Sequence, residues 1–143
     1  MILLDTNILS ELMRPSPAPT VLAWLDRQRA DQVWYCAIVR AEIELGLARL
    51  PAGRRKQGLL EAAHAMFADD LAGRCLPFNE AAAVRYGELV DSRRRQGRPI
   101  SVEDAQIAAI ARTHELRLAT RNTGDFEGID GLEVINPWLE PVG

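Results

Sequence analysis

After its first methionine the chain reads Ile2-Leu3-Leu4, an apolar run that stops abruptly at Asp5-Thr6-Asn7 and passes into a helical pattern from about Ile8. A short apolar run with a helix directly behind it reads as a central β-strand of an α/β sheet. Val33-Trp34-Tyr35-Cys36 is a second β-type run, followed by helical spacing over Ile38–Leu50 that halts at Pro51. Cys75–Phe78 reads as a short strand before Asn79, which caps a helix running to about Gln96. Ser101 starts a further helix to about Glu115, and Leu116–Thr120 and Leu132–Ile135 close the series as strands. Pro15-Ser16-Pro17 ends the first helix and Pro19 suits the first turn of the next, while Arg55 to Asp70 presents Leu59, Leu60, Ala63, Met66 and Phe67 at helical spacing. Strands alternating with helices predict a mainly parallel sheet sandwiched by helices, in one domain over residues 1–143.

Acids recur where this pattern turns from apolar to polar. Asp5 stands at the carboxyl end of the first strand, where open α/β sheets bind ligands. A carboxylate there is costly to desolvate unless something positive meets it, although Asp5 also suits a plain N-cap. Asp104 shares a helix face with Ile107, Ala108 and Ala111, an apolar stripe that a solvated aspartate would avoid. The helix dipole favours an acid in this first turn as well. Glu42 lies among Ile38, Val39, Leu45 and Gly46, whereas Glu44 shares a face with Arg40 and is accounted for by a surface ion pair. The last strand-to-loop junction, Thr120-Arg121-Asn122-Thr123-Gly124-Asp125, repeats the N-terminal construction, although a glycine-containing turn also uses Asn and Asp.

Four such oxygen clusters can meet at the carboxyl edge of one sheet. The site would hold high negative charge and oxygen donors alone, which suits Mg²⁺ or Mn²⁺. Two such ions can activate a water and stabilise the leaving oxygen of a phosphodiester. Other chemistries lack their residues. His64 and His114 belong to no recognisable triad, and neither a Walker A nor a GxGxxG run occurs.

Composition narrows the setting. The chain is 48% hydrophobic and 26% charged, as in an ordinary soluble protein. Cys36 and Cys75 are far apart in apolar surroundings, read as buried thiols, and no CxxC or Cys/His cluster exists. A reducing cytoplasm fits, and the first apolar stretch is too short for a signal peptide or membrane span. A net charge of −3 argues against a general nucleic-acid-coating protein. Basic residues nevertheless cluster at Arg54-Arg55-Lys56 and at Arg93-Arg94-Arg95 with Arg98. The second cluster closes a helix just before the loop to Asp104, which places it as a candidate RNA-binding rim; solvated helix ends explain it equally well.

Taken together, the motifs resemble the PIN-domain ribonucleases, specifically the VapC-type toxins of bacterial toxin–antitoxin pairs. The resemblance rests on Ile2-Leu3-Leu4-Asp5-Thr6-Asn7, on Ala41-Glu42-Ile43-Glu44-Leu45-Gly46, on Asp104-Ala105-Gln106-Ile107-Ala108-Ala109, and on Ala119-Thr120-Arg121-Asn122 with Gly124-Asp125-Phe126. Asn136-Pro137-Trp138 is similar to the ending of the FitB-like subgroup. The set spans essentially the whole chain in order. It implies a PIN-like three-layer α/β/α sandwich and a Mg²⁺- or Mn²⁺-dependent endoribonuclease, neutralised by a small cognate antitoxin. It also implies a homodimer, with operator DNA reached only through the antitoxin. By the same resemblance Asp5, Glu42 and Asp104 are the core acids, with Asp5 and Asp104 holding metal most directly and Thr6, Asn7 and Thr120 in support. Some members carry an aspartate at the position of Asn122, others an asparagine there and an acid three residues on; this chain has the second arrangement. The resemblance therefore gives the fourth position to Asp125, with Asn122 as the alternative, in support through its amide oxygen or a water, and leaves open one metal or two. The rival reading is a non-catalytic partner that tunes a DNA-binding antitoxin, and metal-dependent RNA cleavage discriminates the two. A phosphatase is disfavoured because Asp5-Thr6-Asn7 lacks the second aspartate of a DxD arrangement.

Overall fold

The computed structural model describes residues 1–141. Five strands form one sheet: β1 (Ile2–Leu4), β2 (Val33–Cys36), β3 (Cys75–Leu76), β4 (Arg117–Ala119) and β5 (Val134–Ile135). Their order is β3-β2-β1-β4-β5 and every pairing is parallel, so the mainly parallel expectation becomes an all-parallel sheet. β1 is central, with Leu3 opposite Trp34 on one side and Leu118 on the other. All three β1 residues are buried, as expected where helices cover both faces of a parallel sheet. The strand order reverses direction between β1 and β4, which opens the crevice where such sheets bind ligands.

Six helices connect the strands: α1 (Thr6–Leu12), α2 (Pro19–Asp26), α3 (Ala37–Arg49), α4 (Arg54–Ala65), α5 (Glu80–Arg95) and α6 (Val102–Thr113). α6 buries Ala105, Ala108, Ala109 and Ala111 together with Ile107 and Ile110. The small side chains bring this helix, and with it Asp104, close to its neighbours. Several elements are shorter than the sequence pattern predicts, β4 and β5 among them, and two of these have a local cause. The helix expected to reach Asp70 changes at Met66 to a π-helical turn, Met66–Asp70, in which Leu71 N–H donates to Met66 O at 2.8 Å while Met66 and Phe67 stay buried. β3 stops at Leu76 because Pro77 has no N–H to continue the ladder. A further expectation is corrected: Cys36 is buried but Cys75, on the edge strand, is exposed. No described helix is long and apolar enough to cross a membrane.

Candidate active site

Asp5 follows β1 directly and its N–H still pairs with Ala119 O at 2.9 Å, so the sheet itself fixes its backbone. Its side chain then does two jobs. Oδ1 accepts the Thr6 N–H at 2.8 Å as the cap of α1, and Oδ2 accepts from Thr120 Oγ1 at 2.7 Å and Asn7 Nδ2 at 3.2 Å. One carboxylate therefore caps α1 and is held by Thr120 and Asn7 at the carboxyl end of the sheet. Asn7 also donates to Thr120 Oγ1 at 3.1 Å and accepts the Arg121 N–H at 3.0 Å, tying the ends of β1 and β4 together.

Glu42 reaches the same place from α3, where its Oε1 accepts the Thr6 hydroxyl at 2.8 Å. Glu44, two residues on and so on the opposite side of α3, pairs with Arg40 at 2.8 Å as its spacing predicts. Asp104 sits in the first turn of α6, and its N–H donates to the capping Ser101 Oγ at 3.1 Å. Asp5, Thr6, Asn7, Glu42, Asp104 and Asn122 line one cleft of about 650 Å³. Thr120 is fully buried behind Asp5. Asp125, on the short 3₁₀ turn Thr123–Phe126, is not among the lining residues.

The acids at the centre of the cleft are unpaired: no salt bridge among the described residues involves Asp5, Glu42, Asp104 or Asp125. Burial raises the Asp5 pKa, against the hydrogen bonds from Thr120, Thr6 and Asn7, and the charge of Asp125 adds to the rise. Burial likewise raises Glu42, opposed by Thr6 and reinforced by Asp5 and Glu103. Asp104 is pushed up to about 6, first by burial and then by the charge of Asp5, with Asp125 and Glu42 adding and Ser101 opposing. The charge of Asp125 thus reaches Asp5 and Asp104 although its side chain does not line the cleft. Among the described residues, however, no three His, Cys, Asp or Glu side chains form a ready-made ligand cluster. This is an open carboxylate site rather than an all-protein cage. It fits Mg²⁺, which keeps several waters and takes only one or two carboxylates.

The arginine cluster does not form a rim to this cleft. Arg93 is only 4% exposed, with Nε donating to Arg98 O at 2.7 Å and Nη1 donating to Glu127 O. A buried guanidinium held by two main-chain carbonyls is scaffolding, so an RNA-binding role for Arg93 is corrected. Arg95 pairs with Asp91 at 2.9 Å, Arg94 is exposed, and none of the four lines the cleft. Arg98 does approach the site. It reaches Gly124 O at 3.5 Å and Glu127 Oε2 at 3.3 Å, bracing the turn that carries Asp125. The cations that do line the cleft are Arg14, Arg55 and Arg121. Sequence reasoning singled out the patch containing Arg55 without placing it here; it missed Arg14, and it missed the side-chain role of Arg121 despite its position directly after Thr120.

Residues 2–132 match the PIN domain family. The chain is 43% identical to Toxin FitB of Neisseria gonorrhoeae over 96% of its own length and 99% of that protein's. It is 41% identical to VapC ribonuclease Y4jK of Sinorhizobium fredii, over 96% of this chain and 98% of that one. Among solved structures, one of FitAB bound to an IR36 DNA fragment superimposes with a TM-score of 0.89 at 41% identity, covering 99% of this chain and 98% of that one. With the sheet order, the acid-lined crevice and these matches in agreement, the chain belongs to the PIN-domain family.

Proposed function

We propose that this chain is the ribonuclease toxin of a VapBC-type toxin–antitoxin pair, hydrolysing RNA phosphodiesters with Mg²⁺ or Mn²⁺. The observation that carries the reading is the cleft itself: Asp5, Glu42 and Asp104 converge from three elements, without a counter-cation, at the switch point of a parallel sheet. Asp5 and Asp104 would hold the metal, with Glu42 and Asp125 adding to its field. When bound, the ion would lower the pKa of a water and offset the charge of the phosphate.

The chain's own groups supply the orientation. Thr120 and Asn7 fix Asp5 Oδ2, and Thr6 fixes Glu42 Oε1. Glu42 Oε2 has no protein hydrogen-bond partner among the described residues, so it is the natural acceptor for a proton of the attacking water. The water oxygen bonds to phosphorus, the bond to the leaving ribose oxygen breaks, and the water proton passes to a carboxylate. Arg14, Arg55 and Arg121 are placed to meet the substrate's phosphates.

The solved complexes of similar proteins, FitAB bound to a DNA fragment and VapBC2 of Rickettsia felis bound to a fragment of its promoter, support a cognate antitoxin as partner and DNA reached through it. A homodimer acting in the cytoplasm completes the proposal and rests on the family resemblance alone. The test uses the purified chain free of any antitoxin. Single-stranded RNA should be cut with Mg²⁺ or Mn²⁺, spared in EDTA, and spared by Asp104→Asn. Cleavage that ignores EDTA, or none under any metal, contradicts the proposal.

A further inference from the structure

A tryptophan and an arginine form one wall of the cleft, and the chemistry described so far leaves the tryptophan unused. Trp138 and Arg121 both line it beside Asp5 and Asn122, and the Arg121 guanidinium carbon lies 4.8 Å from the centre of the Trp138 ring. We propose that this pair is a nucleobase subsite: Trp138 stacks an unpaired base next to the phosphodiester being cut, and Arg121 binds the adjoining phosphate. The inference rests on the ribonuclease reading and adds to it a contact with the base, made by the wall that Trp138 and Arg121 form.

The placement of both side chains is determined by the sheet. The Arg121 N–H is bound by Asn7 Oδ1 at 3.0 Å, and Asn7 in turn donates to Asp5. The base of the Arg121 side chain is thereby held in register with the acidic centre. Trp138 is fixed from the other side. Thr120 N–H donates to Ile135 O at 2.9 Å, extending the β4–β5 pairing to the edge of the site. Three residues on, Asn136 Oδ1 accepts the Trp138 N–H at 3.0 Å and Asn136 O accepts the Leu139 N–H at 3.1 Å. Asn136 thus closes a turn that delivers Trp138 back to the cleft, and Pro137 is buried in it. A half-buried indole in a polar cleft, held by its backbone, loses little entropy when a base stacks on it.

The alternatives for this wall are weaker. The indole packs against the edge of the core but stays half-buried and lines the cleft, while Ile135 and Pro137 beside it are buried. Arg121 has no carboxylate partner among the described residues, so its charge is left for an anion. The Arg121 guanidinium lies over the Trp138 ring, and an indole paired with a guanidinium is a combination that binds splayed single strands, since bases stack on either group and every nucleotide carries a phosphate. A duplex keeps its bases stacked on one another and offers nothing to the indole.

The experiment measures equilibrium binding of a short single-stranded RNA oligonucleotide by fluorescence anisotropy, in EDTA and in an Asp104→Asn background so that the strand stays intact. Trp138→Ala should weaken binding roughly tenfold or more, with the salt slope unchanged. Trp138→Phe should restore most of the affinity. Arg121→Gln should lower the salt slope by about one unit, as expected for one lost phosphate contact. The same oligonucleotide annealed to its complement should bind Trp138→Ala and its parent equally. Unchanged single-strand affinity in both Trp138 variants, each melting like the parent, overturns the subsite while leaving ribonuclease activity in place. Trp138→Phe binding as poorly as Trp138→Ala also overturns it, since stacking needs only the ring. A parent protein that neither binds nor cuts any RNA removes the ribonuclease reading, and the subsite with it.

Discussion

The acidic cleft and the arginine-rich end of α5 are both clusters of like charge, and they are built in opposite ways. Every guanidinium that turns inward at the end of α5 finds oxygen. Arg93 is bound by Arg98 O and Glu127 O, and Arg98 by Gly124 O and Glu127. Gly97, at φ +69°, makes this possible, because a left-handed residue lets the chain fold back over the helix end. The Gly97 N–H then donates to Arg94 O at 3.0 Å and the Arg98 N–H to Arg93 O at 2.9 Å. Cations in the last turn also suit the negative end of the helix dipole. In the cleft the reverse holds: burial and mutual repulsion raise the pKa of Asp5, Glu42 and Asp104, and no cation answers them. Charge that is answered within the fold contributes stability. Charge left unanswered is a binding site, maintained at some expense to the fold.

The largest expected effect lies in the cleft. Asp104→Asn keeps the shape and removes the charge, so RNA cleavage should fall by roughly a hundredfold or more, about 3 kcal/mol of transition-state stabilisation. A variant that cuts at the parent rate breaks the contrast at its acidic end.

At the other end, Arg93→Met removes a buried guanidinium and leaves the Arg98 and Glu127 carbonyls without this donor. It should cost roughly 2–3 kcal/mol, read as a lower urea midpoint. An unchanged midpoint would mean that the buried guanidinium contributes no net stability.

The two regions also differ in pH dependence. A carboxyl whose folded pKa lies above its unfolded value holds its proton more tightly in the folded state. The stability this contributes is fully present below about pH 3.8 and is lost as pH rises through about 6 for Asp104, with Asp5 and Glu42 acting in the same direction. In EDTA the melting temperature should therefore carry a component that declines across that window, and Asp104→Asn should flatten it. A slope identical in parent and variant would place Asp104 in an ordinary solvated environment.

A smaller effect separates Asp125 from Asn122. Asn122 lines the cleft, yet it is the charge of Asp125 that reaches Asp5 and Asp104. Asp125→Ala should raise the Mg²⁺ concentration for half-maximal cleavage a few-fold more than Asn122→Ala. The reverse order would make Asp125 a turn residue only. The smallest effect belongs to Arg95, whose exposed pair with Asp91 contributes little; Arg95→Gln should change stability by under about 1 kcal/mol and leave cleavage alone.

The alternation of apolar runs and helical spacing made the layered sheet legible from sequence, and the acids at Asp5, Glu42 and Asp104 were legible because each breaks a local apolar pattern. What periodicity could not supply was direction at the level of the single side chain. Arg93 reads like Arg94 and Arg95 in sequence, and only the fold of the Gly97 turn decides that it points inward. Arg14 and Arg55 reach the cleft because α1 and α4 border it, a tertiary fact with no local signal. The π-turn at Met66 was equally invisible, since Met66 and Phe67 satisfy a regular helical pattern as well.

The central claim is that the unanswered charge of the cleft awaits a divalent cation, and thermal melting with added metal tests it most directly. Mg²⁺ or Mn²⁺ binding only the folded state must raise the melting temperature in proportion to its affinity. The parent protein at pH 7 should gain stability steadily as either ion is added. An Asp5→Asn, Asp104→Asn double variant should melt higher than the parent in EDTA, because the repulsion is relieved, and should gain almost nothing from metal. Equal metal-dependent gains in parent and double variant, or none in the parent, would contradict the account.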